Sequence, residues 1–165
     1  MRNRIRFAAL AALAVALLLV FAKYRDVQAA GKFMAAQEYQ ATAFVPSILA
    51  ATATEEDPIF QAPRDVLITG LSIVPQAAVT GDSTNSKTLD VVDKAADGSG
   101  STAITTSLVL ATGTNLTALK PQTVTLASAT GFKLAQGRVL SFKTAKVGSG
   151  VLMPGLHIVI FFEPR

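Results

Sequence analysis

Residues 138–144 read Arg-Val-Leu-Ser-Phe-Lys-Thr, and the alternation inside them sets the fold class. Leu140 and Phe142 share one face of an extended chain, and Ser141 and Lys143 share the other. Successive side chains of a β-strand point to opposite faces, so this spacing predicts a strand with one buried and one wet face. The same period recurs outward along the chain. Residues 122–128 set Val124 and Leu126 against Thr123 and Thr125. Residues 102–110 (TAITTSLVL) set Ile104, Thr106, Leu108 and Leu110 against Ala103, Thr105, Ser107 and Val109. Residues 88–92 place Leu89 and Val91 together, and residues 66–74 (VLITGLSIV) place Leu67, Leu71 and Ile73 together. Residues 39–45 and 47–53 are further strand candidates.

The final apolar run differs. Residues 156–162 (LHIVIFF) are apolar on both faces except at His157. That predicts a central strand, or one covered on both sides by another sheet or subunit. Pro46, Pro58, Pro63, Pro75, Pro121 and Pro154 fall at the ends of runs, where a missing N–H leaves a ladder intact. Polar clusters at 80–86 and 95–101 read as turns, and Asp97-Gly98 is a strong turn dipeptide because both residues tolerate positive φ. The chain has 165 residues, so one domain is the default. About eight short strands predict an all-β antiparallel sandwich, jelly-roll-like, over residues 34–165.

Residues 1–33 have a different texture. Arg2, Arg4 and Arg6 precede an uncharged apolar run over 7–22. This predicts a short hydrophobic helix rising about 24 Å, less than a ~30 Å hydrocarbon core. Three readings stand side by side. One is a secretory signal with a cleavage site near Val27-Gln28-Ala29, although Lys23, Arg25 and Asp26 sit badly there. Another is an uncleaved transmembrane anchor with Arg6 and Lys23 at the two interfaces. The third is an upstream extension, with the working protein starting at Met34.

Charge narrows the partners. The leader holds six basic side chains against Asp26, while residues 34–165 hold nine basic against ten acidic. The basic balance of the chain therefore belongs to the leader. The basic side chains of the domain are spread singly, without the clustered face that neutralises phosphates, so no nucleic-acid partner is expected.

Catalytic chemistry is sparse. Cysteine is absent and His157 is the single histidine. This removes thiolate chemistry and multi-histidine metal sites. A Ser–His–acid triad would have to use His157, which lies in an apolar strand, and no Gly-x-Ser-x-Gly elbow is present. In that strand it is expected as a buried imidazole with one hydrogen-bond partner. Ser99 and Ser149 sit in Gly-Ser-Gly stretches that read as turns. Glu55-Glu56-Asp57 reads as a solvated acidic loop. Asp90, Asp93 and Asp97 miss the alternating spacing of a calcium loop. Asn115-Leu116-Thr117 is a glycosylation sequon. No catalytic, cofactor or metal site is expected, and the chain reads as a non-enzyme.

Residues 68–81 (ITGLSIVPQAAVTG), 97–100 (DGSG), 137–140 (GRVL) and 148–156 (GSGVLMPGL) carry a resemblance in texture and order over about 125 residues. The chain resembles the small β-rich virion structural proteins of tailed bacteriophages, those that decorate the capsid or form minor parts of the head. The resemblance implies a virion location, a homo-oligomer, and binding to the major capsid protein or other virion proteins. The alternative reading is a membrane-anchored or exported bacterial surface domain, in the periplasm or on the cell surface, that binds a ligand or partner. On either reading the apolar closing segment is the candidate interface: Leu152, Met153, Leu156, Ile158, Ile160 and Phe162.

Overall fold

Extended chain dominates residues 38–48, 51 and 53–165, the residues that the computed structural model describes. The helix expected over 7–22, and with it every reading of 1–33, lies outside them. Ten strands follow one another: β1 (Tyr39–Val45), β2 (Glu55–Gln61), β3 (Val66–Pro75), β4 (Ser86–Asp93), β5 (Thr102–Ala103), β6 (Leu108–Val109), β7 (Gln122–Val124), β8 (Phe132–Leu134), β9 (Val139–Val147) and β10 (Leu156–Pro164). All their pairings are antiparallel.

One sheet runs β1-β10-β3, and β7 and β8 share the far edge of β3. The other runs β2-β9-β4, and β5 and β6 share the far edge of β4. Each sheet therefore has four strand positions, and β10 is central in its sheet. The core lies between the sheets. Ile68, Leu71, Ile73, Ile158 and Ile160 from the first meet Leu89, Val91, Leu140 and Phe142 from the second in one buried cluster. Burying each such side chain favours folding by roughly 1.5–3 kcal/mol.

The chain crosses between sheets at β1–β2, β2–β3, β3–β4, β6–β7, β8–β9 and β9–β10. Antiparallel pairing then gathers the connections at two ends. The longer ones (46–54, 76–85, 110–121 and 148–155) share one end, and those at 62–65, 94–101 and 135–138 share the other.

Alternation holds where one face is wet. Leu89, Val91, Val124, Leu140 and Phe142 are buried as their spacing predicts. Four departures have physical causes. In β3, Phe161 pairs with Gly70 but Phe162 pairs with Ile68, so Thr69 is an extra residue. This bulge shifts the phase: Val66 and Ile68 point inward, and Leu67 leaves the face of Leu71 and Ile73.

Residues 102–110 break into β5 and β6. Between them Thr105 turns inward and its Oγ1 accepts the Val91 N–H at 2.9 Å. The flanking backbone crosses over: Thr106 N–H donates to Thr125 O at 2.8 Å and Ala127 N–H to Ile104 O at 2.9 Å. These bonds clasp the far edges of the two sheets together.

Third, Glu55-Glu56-Asp57 is not a solvated loop but the start of β2, with Pro58 inside the strand. Among the described residues β2 pairs only with β9, so it is an edge. The register shifts between Pro58 and Phe60, and a proline is tolerated there. Of the candidate strand over 47–53, the described part contributes one bridge, Ile48 to Met153. Last, His157 is exposed on the outer face of β10 instead of buried, because its inward neighbours Leu156 and Ile158 hold the core side.

Candidate functional site

The end that carries the four longer connections is built as a rigid platform. Its floor is apolar: Ile48, Val79, Leu116 and Met153 are all buried and close the core at this end. Main-chain bonds join the loops in pairs. Val79 and Leu116 exchange two N–H···O bonds at 2.9 Å. Ile48 N–H donates to Met153 O at 2.9 Å, Gln76 N–H to Gly155 O at 2.9 Å, and Leu119 N–H to Pro75 O at 2.8 Å. Side chains add more. Asn115 Oδ1 accepts the Gly81 N–H, and Asn85 Oδ1 accepts the Ser149 N–H, both at 2.9 Å. The sequon asparagine thus spends its side-chain oxygen on loop-to-loop contact.

Gly81 and Gly155 are among the positions where close approach requires glycine. A Cβ at Gly81 would sit 2.1 Å from Ala111 O and 2.4 Å from Thr114 O. A Cβ at Gly155 would meet the Phe44 ring at 2.9 Å, which shows that this ring lies over the glycine. The other side of Phe44 faces His157, with ring centroids 5.2 Å apart.

Above this floor the platform exposes large apolar side chains. Phe44 is 52% exposed, Leu152 61% and Leu119 75%, with Val109 and Val147 at the same end of the second sheet. Of the six large hydrophobic side chains exposed among the described residues, these five share one end, and only Tyr39 lies at the other. Leu119 also has φ of +58°, a left-handed conformation that is strained for a bulky side chain.

The six side chains expected at an interface separate. Met153, Leu156, Ile158 and Ile160 lie inside the domain's own core, each no more than 2% exposed. They fill the space between the sheets. Phe162 is half-buried, stacked on Tyr39 with centroids 5.9 Å apart and tilted against Phe60 at 5.2 Å. Leu152 alone of the six is mostly exposed. Phe44, Val109, Leu119 and Val147 were not singled out by sequence. Phe44 and Val109 sit in strand-like alternation that gives no sign of being uncovered. Leu119 falls in a turn before Lys120-Pro121, and an apolar residue in a polar turn was the one available signal.

The outer face of the second sheet is polar and self-satisfied. Ser141 Oγ donates to Glu56 Oε1 at 2.5 Å, and Lys94 Nζ lies 3.1 Å from the same oxygen. The Ser141 hydrogen bond, and then Lys94, hold the Glu56 carboxyl below its ordinary pKa. At the end of β4, on the inward phase of that strand, Asp93 is gripped by Arg138 through two bonds, Nη2 to Oδ2 at 2.6 Å and Nε to Oδ1 at 3.1 Å. A depression of about 320 Å³ between Glu56, Pro58, Lys94, Gly98, Val139 and Ser141 is thus lined by groups that already neutralise one another. Among the described residues no group of three or more His, Asp or Glu side chains is placed to hold a metal ion, and no helix is long and apolar enough to cross a membrane.

No protein-family model matches the chain, and no curated protein sequence matches it significantly. Among solved structures, chains from infectious bursal disease virus align with it. The Gx-strain structure shows 16% identity and a TM-score of 0.28, covering 79% of this chain and 35% of that one. The Gt-strain structure shows 15% identity and a TM-score of 0.26, covering 79% and 36%. The chain spans about a third of the length of these structures.

Proposed function

We propose that this chain is a non-enzymatic structural component of a virion, a decoration or minor head protein of the tailed-phage kind, that docks on the shell through its apolar loop end. The observation that carries the reading is that end itself. Leu119 and Leu152 add nothing to the domain's own core, and Leu119 holds its position at a conformational cost. Exposed apolar surface of this kind, on a framework fixed by main-chain bonds, suits a permanent contact. The strand order supports the reading: two four-position sheets joined by crossing connections form a jelly roll, an architecture used by viral capsid and lectin domains and by cupins. Fold alone does not assign function. The interior suits a building block, because the space between the sheets is filled mainly by aliphatic side chains and Phe142.

The test is composition and occupancy. Particles banded from cells infected by the virus that encodes the chain should contain it in fixed proportion to the major shell protein. The Leu119→Ser/Leu152→Ser double variant should fold yet bind shells at least about tenfold more weakly, the loss expected from about 1.4 kcal/mol or more of docking energy. Absence from particles, or recovery only with host membranes, would replace this reading with that of a surface domain.

A further inference from the structure

The two sheets have four outer strand positions, and three of them are blunted. β2 carries Pro58, a register shift and three acidic residues. β5 and β6 are two residues each, and β7 and β8 three each. Short edges, prolines, bulges and charges are the devices by which β proteins prevent edge-to-edge pairing. The fourth edge, β1, has none of them. Its seven residues, Tyr-Gln-Ala-Thr-Ala-Phe-Val, hold no charge and no proline, and its register with β10 is unbroken from Tyr39↔Phe162 to Val45↔Leu156. Among the described residues nothing pairs with its outer side.

We propose that β1 is a homotypic pairing edge, joining antiparallel to β1 of a second copy about a two-fold axis at Thr42, so that the two β1-β10-β3 sheets become one continuous sheet. The sequence of β1 is self-complementary in that register. On the outer face Thr42 meets Thr42 of the second copy, and Gln40 meets Phe44. On the inner face Ala41 meets Ala43, and Tyr39 meets Val45. Thr–Thr and aromatic–β-branched pairs are among the favourable cross-strand neighbours, and no like charges are opposed. A two-fold interface needs this self-complementarity. Alternate residues of a strand turn their N–H and C=O groups away from the partner already bound, so the outer side of β1 presents a ready ladder. The pairing does not depend on the virion reading, and of the exposed side chains at the loop end it engages only Phe44.

The test uses the full chain. Wild type should behave as a dimer in analytical ultracentrifugation and dissociate on dilution. Thr42 is exposed, so Thr42→Lys and Thr42→Glu should each keep the wild-type circular dichroism and melting temperature. Each places like charges together on the axis and should sediment as a monomer. An equimolar mixture of the two should return to the dimer. Hydrogen exchange gives an independent readout that needs no variant: alternate amides within residues 40–45 should gain protection as concentration rises. The proposal is overturned if either single variant stays dimeric, if the mixture stays monomeric, or if those amides exchange at loop rates at every concentration.

Discussion

Lys87 is the side chain least at ease in the structure. It occupies the inward phase of β4 with Leu89 and Val91, is fully buried, and its Nζ has no hydrogen-bond partner among the described residues. Burial pushes the ammonium pKa down, and Glu55 acts in the opposite direction. Because the folded value lies below the unfolded one, stability rises with pH between them and is lowest when the group is charged in both states. Lys87→Met keeps the stem and removes the charge. It should stabilise the domain by about 1–3 kcal/mol at pH 7, the usual size of an unmet desolvation cost. Urea melts should show the gap narrowing as pH approaches 10. Glu56 titrates with the opposite sign. Its folded pKa lies below 4.5, so its contribution is present above that pH and is lost as pH falls through the folded value. Glu56→Gln should flatten the acid limb of stability below pH 4.5, read by thermal melts from pH 6 to pH 3.

At the scale of elements, the loop platform depends on close backbone approach more than on side-chain volume. Gly81→Ala would force a Cβ into the carbonyls of Ala111 and Thr114, part the 76–85 and 110–121 connections, and cost about 1–3 kcal/mol or more as an overpacked site. Faster exchange of the Val79 and Leu116 amides would locate the damage. The same contrast explains what sequence could and could not disclose. Strands β4, β7 and β9 were legible because each has one wet face, and their apolar positions obey a period of two. β2 was not, because Glu55-Glu56-Asp57-Pro58 forms a strand through its pairing with distant β9 and not through any pattern of its own. The β3 bulge was equally hidden. It appears only in the pairing with β10, where Phe161 opposes Gly70 and Phe162 opposes Ile68, positions about 90 residues away along the chain. Leu119 and Leu152 of the platform lie where periodicity ends, so no alternation could mark them as exposed.

Over the whole molecule, the sandwich has two unlike sides. On one, the bonds between residues 104–106 and 125–127 tie sheet to sheet. On the other, β1 and β2 are edges of different sheets, and contact between them runs through aromatic rings: Phe162 of β10 bridges Tyr39 of β1 and Phe60 of β2. Phe162→Asp should remove both ring contacts, worth together about 1–3 kcal/mol. The loss should appear in a thermal melt, with the far-ultraviolet β spectrum of the folded state preserved. A variant as stable as wild type would show that the open side is held by something other than these rings.

The positions of β9 and β10 also impose an order in time. Each lies in the interior of its sheet, and each follows every other described strand of that sheet along the chain. Strand β1 emerges first but finds its hydrogen-bond partner only across more than a hundred residues of later chain. Neither sheet can be completed during synthesis until those final strands arrive, and contacts between such distant segments form slowly. Through that interval the uncharged β1 segment is without its partner, so nascent chains at high local density are exposed to premature strand exchange. Production at lower temperature or lower expression rate should therefore raise the soluble fraction more than it does for a helical domain of equal length.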